Sequence, residues 1–268
     1  NDFFEEIAKF RAARTLWHDL IEQRYQPKNP KSKMLRFHTQ VAGVSLTAQQ
    51  PLNNVARVTI QALAAVIGGT QSLHTNSYDE ALGLPTESSA TVALRTQQII
   101  AEESGVADTV DPIAGSWHVE RLTKEIYERA HNIIQQIEQK GGAMAAIEEG
   151  WQQQEIHLAA YQHLNEIENG TRRIVGVNHG TMDEIEGIPV MKTDASLGER
   201  QTERLAELRA QRDDQAVSEA LEAVALSAEN GSNLFPYVIE AVRARATLGE
   251  IINVLKARFG TYMAPSGF

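Results

Sequence analysis

Cysteine is absent from this 268-residue chain. That removes disulfides, thiolate metal sites and a cysteine nucleophile, and it fits a reducing compartment such as the cytoplasm. No apolar run is long enough to cross a bilayer, so no membrane partner is expected. Positive charge is scarce: 25 Lys and Arg stand against 35 Asp and Glu, a formal charge of −10. A grip on the phosphate backbone needs a concentrated basic face, so nucleic acid is not an expected partner. Gly68-Gly69 is followed by neither G-x-G-x-x-G nor G-x-x-x-x-G-K-[ST], which removes the signatures of a nucleotide loop. The acidic residues after position 183 scatter along polar stretches as on a solvated surface, so no protein-ligated metal is expected. The first residues, Asn1 to Glu6, contain neither an initiator Met nor a basic region leading into an apolar signal segment, and the chain is expected to be part of something longer. Hydrophobic residues make up 42%, enough to bury a core.

The periodicity of those residues implies organisation. Phe3, Phe4, Ile7, Phe10, Leu16, Trp17, Leu20 and Ile21 recur near helical spacing, and Asp2 with Glu5 has the spacing of a capping box. Gln26 to Pro30 stops that helix, and Met34 to Phe37 reads as a short strand ending at His38. The arrangement repeats, with a helix over Asn53 to Ile67, a break at Gly68-Gly69 and a strand over Thr70 to Thr75. A third cycle has a helix over Thr86 to Ser104, closed by Gly105, and a strand near Ala107 to Val110. Alternation of this kind predicts a parallel sheet wrapped by helices, an α/β fold.

After Gly115 the alternation ends, and Trp117 to Lys140, Ala143 to Glu149 and Gln152 to Asn169 read as helices. Arg173 to Asn178 is one further strand candidate, Gly180 to Gly198 reads as an extended arm, and Glu199 to Asn230 and Leu234 to Phe259 as amphipathic helices. The apolar stripes of the last segment, including Ile251 and Leu255, are expected to dock a second subunit.

Polar residues collect where the apolar lead-ins stop: Arg36-Phe37-His38-Thr39-Gln40, Gly43-Val44-Ser45-Leu46-Thr47, and Gly69-Thr70-Gln71-Ser72-Leu73-His74-Thr75-Asn76. That is the layout of active-site loops at the carboxyl ends of barrel strands. A lone His at a strand end is more often a hydrogen-bonded structural residue than a functional one. Glu80 equally suits a helix N-terminus, where the dipole stabilises a carboxylate. His74 and Asn76 are expected on one face of a strand, where either serves packing or lines a barrel. His118, His131, His157 and His163 fall in helical segments without ligand spacing.

Together with Asp79-Glu80-Ala81-Leu82, Asp111-Pro112, Gly115-Ser116, Gly141-Gly142-Ala143-Met144 and Val175-Gly176-Val177-Asn178, these motifs resemble the adenosylcobalamin-dependent acyl-CoA mutases of the methylmalonyl-CoA mutase family, in order along essentially the whole chain. The resemblance implies the late part of a TIM (β/α)8 barrel over residues 1–116, helical closure over 117–180, and a linker arm with a helical tail over 181–268. It implies an isomerase that rearranges the carbon skeleton of a short acyl-CoA by radical chemistry, methylmalonyl-CoA/succinyl-CoA interconversion first and isobutyryl-CoA or 2-hydroxyisobutyryl-CoA second. The implied cofactor is adenosylcobalamin. His38 and Gln40 take the catalytic positions facing corrin and substrate, Gly43 and Val44 the loop under the cofactor, and Asn76 and Glu80 the positions near the adenosyl ribose. A carboxylate can accept two ribose hydroxyls, and an imidazole or carboxamide can donate to a thioester carbonyl.

Two positions depart from the family's pattern. Many methylmalonyl-CoA mutases have an aromatic residue where Val44 stands, and Gly-Gly-Ser-Tyr where Ala114-Gly115-Ser116-Trp117 stands. The D-x-H-x-x-G motif whose His binds cobalt does not occur in the chain. A separate cobalamin-binding small subunit, in a hetero-oligomer, is therefore the expected partner, and the isolated chain is expected to be inactive. The reading from another class is a non-catalytic assembly module that uses its helical tail to bind a mutase.

Overall fold

A computed structural model describes residues 2–183, 187–194 and 196–262, which form two compact units, Asn1–Met191 and Lys192–Phe268. The first unit opens with α1, Phe3–Tyr25. Asp2 caps it by accepting the Glu5 amide at 3.0 Å, and Gln26 ends it in the left-handed conformation. Helix α1 lies against α4, Trp117–Gln139, where the Arg11 guanidinium ties three groups together. It donates to Asp111 at 3.1 Å, to the Thr123 hydroxyl at 2.9 Å and to Glu120 at 2.7 Å.

Strands β1, His38–Gln40, and β2, Ser72–His74, pair in parallel, with Thr39 opposite Leu73 and Gln40 opposite His74. Between them runs α2, Asn53–Ile67, completing a β-α-β crossover. The core of this unit joins Val41, Leu46, Val58, Ala62 and Ile100, with Leu63, Val66, Leu73 and Val106 packed on it. Gly68 closes α2 in a helical conformation, and a Cβ there would sit 2.5 Å from the Phe10 ring. Glycine lets α1 and α2 approach.

The expected parallel sheet is present as this pair, but the strand predicted near Ala107 to Val110 is not formed. After α3, Glu87–Glu103, Gly105 takes a positive φ and Val106–Asp108 coils into a single 3-10 turn, closed by the Asp108 amide on Gly105. Val106 then packs back onto the core. Helices α5, Ala143–Glu148, and α6, Trp151–Glu168, follow as expected. The strand predicted over Arg173 to Asn178 is instead a turn with a single bridge between Val175 and His179. Asn178 organises it, accepting the Ile174 amide at 2.7 Å and donating to the Ile167 and Arg172 carbonyls at 2.7 and 2.8 Å. An Asn that satisfies three backbone groups substitutes for a ladder partner. Among the described residues no helix is long and apolar enough to cross a membrane, and no His/Asp/Glu group could hold a metal ion.

The second unit contains α7, Ser196–Gln211, α8, Asp214–Asn230, α9, Leu234–Arg243, and α10, Leu248–Phe259. Val224, Ala241 and Ile251 form its core, with Leu234, Val238, Val254 and Leu255 against it. Part of the stripe expected to dock a partner is used internally, since Ile251 is 5 % exposed and Leu255 packs beside it, while Val242, Leu248 and Ile252 on the same two helices stay exposed. An amphipathic stripe shows that a helix buries a face without showing against what.

Arg212 fastens α8 to α10, donating to Glu250 at 2.7 and 2.8 Å and to Asp214 at 2.8 Å. The Arg212 hydrogen bonds, against a smaller opposing effect of desolvation, hold the Glu250 carboxyl well below the usual carboxylate range. A carboxyl depressed in the folded state stabilises above its unfolded pKa of about 4.3, and the contribution is lost as pH falls through the folded value. Glu250→Gln is therefore expected to lower the melting temperature by a few degrees at pH 7, with the gap to the wild type closing as pH drops below about 4. Thermal denaturation followed by circular dichroism across that range checks this, and a gap constant with pH would exclude the charge as its origin.

Candidate functional site

Alternation along β1 and β2 sorts their side chains. Thr39 and Leu73 turn toward the helices, while His38, Gln40, Ser72 and His74 form an exposed polar row on the opposite face. His38 Nδ1 and the Ser72 hydroxyl lie 2.7 Å apart across the pair. With that hydroxyl donating, Nδ1 accepts and Nε2 carries the proton. His38 also borders a cavity of about 310 Å³ that Phe10, Lys9, Gln40 and Gln61 help to line.

Beyond the strand ends the chain makes two loops that meet. After β1, Gly43–Ser45 forms a 3-10 turn. After β2, Asn76 to Glu80 curls beneath it, because the chain leaves the strand at His74 and the Glu80 amide closes a turn on Ser77 at 3.2 Å. Asn76 lies beyond the end of β2 and is only 2 % exposed. Its Nδ2 donates to the Val41 carbonyl at 3.1 Å, and its Oδ1 accepts Gln40 Nε2 at 3.3 Å. A Cβ on Gly43 would stand 3.0 Å from Asn76 Nδ2 and 3.3 Å from Glu80 Oε1. Gln40, Gly43, Asn76 and Glu80 therefore converge, supplied by β1 and by the two loops at the same ends of the two strands.

The Glu80 carboxylate is exposed and makes no hydrogen bond or ion pair among the described residues. Its neighbour Asp79 is fully buried and supports the loop, accepting the Thr86 amide at 3.1 Å on Oδ2. Burial acts to raise the Asp79 carboxyl, but the Ser77 and Ser89 hydroxyls and the Thr86 amide outweigh it and leave the group below its ordinary value. Val44 is 97 % exposed and helps to line a second cavity of about 720 Å³ with Ser45, Arg57, Ile60, His163 and Arg172. His38, one strand residue short of the cluster, is joined to Ser72 and not to Asn76 or Glu80.

Sequence reasoning missed the residues that hold these loops. Asn54, in the first turn of α2, brackets the Thr47 peptide and reaches the Tyr78 carbonyl, while Arg57 donates to Asn54 at 2.8 Å, to Thr47 Oγ1 at 3.0 Å and to the Val175 carbonyl at 2.7 Å. The available signal was a carboxamide at a helix position whose spacing, four before Val58, places it on the buried face.

A family model described as methylmalonyl-CoA mutase matches residues 1–261. The 2-hydroxyisobutanoyl-CoA mutase large subunit of Aquincola tertiaricarbonis is 45% identical over 263 residues, which cover 97% of this chain and 47% of that protein. The methylmalonyl-CoA mutase of Escherichia coli is 47% identical over 266 residues, 99% of this chain and 37% of that protein. The mitochondrial methylmalonyl-CoA mutase of Homo sapiens is 45% identical over 265 residues, 98% and 35%. The chain thus spans between about a third and a half of the length of these relatives.

Proposed function

We propose, from the premise that this chain belongs to the methylmalonyl-CoA mutase family, that it is the cofactor-facing part of the large subunit of an adenosylcobalamin-dependent acyl-CoA mutase. The observation that carries the reading is the cradle in which Gly43, Asn76 and Glu80 converge. In the complete protein β1 and β2 are neighbouring late strands of a TIM barrel over residues 1–116, helices over 117–180 close it, and residues 181–268 form an arm and tail. A cobalamin-binding small subunit completes the hetero-oligomer, in the cytoplasm.

The residues present fit the cofactor. Gly43 leaves open a space that any Cβ would fill, and Glu80 offers an acceptor with no partner of its own. Glu80, with Asn76 beside it, would hold the adenosyl ribose, and Gly43 with Val44 would lie under the corrin. When bound, adenosylcobalamin supplies the carbon radical that takes a hydrogen atom from the substrate. The chain's own residues position the acyl-CoA. His38, with Nδ1 fixed by Ser72, presents Nε2–H to the thioester carbonyl. Gln40, held by Asn76, extends the same polar row. The apolar packing beneath the strands keeps water from that side of the site.

Methylmalonyl-CoA/succinyl-CoA interconversion is the leading substrate assignment. The second, 2-hydroxyisobutyryl-CoA or isobutyryl-CoA, is favoured by Val44, a smaller residue than the aromatic one of many methylmalonyl-CoA enzymes. Mass spectrometry of the full-length protein and its small subunit with adenosylcobalamin and each acyl-CoA decides between them. Isomerisation of either substrate supports the reading; conversion of neither would contradict it.

A further inference from the structure

The two loops of the cradle are not bonded to each other at their far ends; a third element joins them there. Asn54 is 0 % exposed, and its carboxamide is fully used. Oδ1 accepts the Thr47 amide at 3.1 Å and Arg57 at 2.8 Å, and Nδ2 donates to the Thr47 carbonyl at 2.9 Å and to the Tyr78 carbonyl at 2.9 Å. Thr47 ends the loop that begins at Gly43, and Tyr78 lies midway between Asn76 and Glu80. One side chain therefore ties the two loops together, and they come close enough that a Cβ on Gly43 would stand 3.3 Å from Glu80 Oε1.

We infer that Asn54 is a positioning residue that holds the Gly43–Thr47 and Asn76–Glu80 loops at the separation that admits the adenosyl group, with Arg57 fixing its orientation. The physical reason is geometric. A buried amide with two acceptors and two donors engaged cannot rotate without leaving at least one backbone group unsatisfied. Asn54 sits on a helix, so the loops are referred to a rigid element rather than to each other. The role rests on the proposed reading of the cradle.

The test uses the full-length protein with its small subunit and compares its affinities for adenosylcobalamin and hydroxocobalamin, which share a corrin but differ in the adenosyl group. Asn54→Asp has the shape of the native residue, keeps the acceptor for the Thr47 amide and loses both donors. It is expected to lower the preference for the adenosyl form by about ten-fold or more, whereas a change that only reduced the folded fraction would weaken both cobalamins equally. Arg57→Gln, at a less buried position, serves where Asn54→Asp does not fold, and a smaller shift in the same direction is expected. A wild-type preference that persists unchanged in the folded variants would overturn the inference. A wild type without any preference for the adenosyl form would instead overturn the underlying reading of the cradle, so the two failures are distinct.

Discussion

Replacing Gly43 by valine is expected to abolish adenosylcobalamin binding by the full-length protein, with a loss of about a hundred-fold or more, while the protein remains folded. A Cβ alone would approach Asn76 Nδ2 to 3.0 Å and Glu80 Oε1 to 3.3 Å. Asn76 cannot withdraw, since it is buried between the Val41 carbonyl and Gln40. The strain must therefore pass to Glu80 or to the turn itself, and overpacking of this kind costs about 1–3 kcal/mol. Gly43→Ala should fall between the two, because its methyl needs only a few tenths of an ångström. Isothermal titration of the pair of variants checks the order. Wild-type affinity in Gly43→Val would show that nothing of the cofactor enters the space above residue 43.

The second large effect is expected at Glu80. Its carboxylate is exposed and unpartnered among the described residues, so its removal disturbs no internal bond. Glu80→Gln should leave stability and acyl-CoA affinity unchanged and weaken adenosylcobalamin by about 1.5–3 kcal/mol, the cost of one charge-assisted hydrogen bond. That corresponds to roughly ten-fold to a hundred-fold in affinity. Hydroxocobalamin, which lacks the adenosyl ribose, should bind Glu80→Gln as it binds the wild type. An equal loss for adenosylcobalamin and acyl-CoA would place the carboxylate elsewhere.

How much of this was legible beforehand varied with the kind of signal. Helix α2 carries strong periodicity, α1 is marked by its Asp2 cap, both have clear breaks at Gly68 and Gln26, and the parallel pairing of β1 with β2 followed from the alternation. The segments Ala107 to Val110 and Arg173 to Asn178 have strand-like composition, but β propensity describes a fit to a pleated, half-buried surface. In this chain Val106 has such a surface without a ladder partner, and Arg173 to Asn178 is closed by Asn178's own hydrogen bonds. In the helical tail, Ile251 and Leu255 read as an interface stripe, whereas Val224 and Ala241 pack against them and Leu248 and Ile252 stay exposed.

Within the site, the polar strand tips drew attention to His38, Gln40, Gly43 and Asn76, yet alternation extended the strand to Asn76, whereas β2 ends at His74. The turn that buries Asn76 depends on contacts to Val41 and Gln40, long-range partners that no local pattern encodes. The spacing of Asn54 before Val58 marked it as facing inward, but the roles of Asn54 and Arg57 were not legible for the same reason. Their partners, Thr47, Tyr78 and Val175, lie on three separate loops.

The central claim is that the Gly43, Asn76 and Glu80 cradle receives the adenosyl group of the cofactor. A crystal structure of the full-length protein with its small subunit and adenosylcobalamin tests it most directly. The account predicts the ribose hydroxyls within about 3 Å of the Glu80 carboxylate, the corrin over Gly43 and Val44, and His38 open to the substrate side. An adenosyl group bound away from Glu80, with the corrin clear of residues 43 and 44, would contradict it.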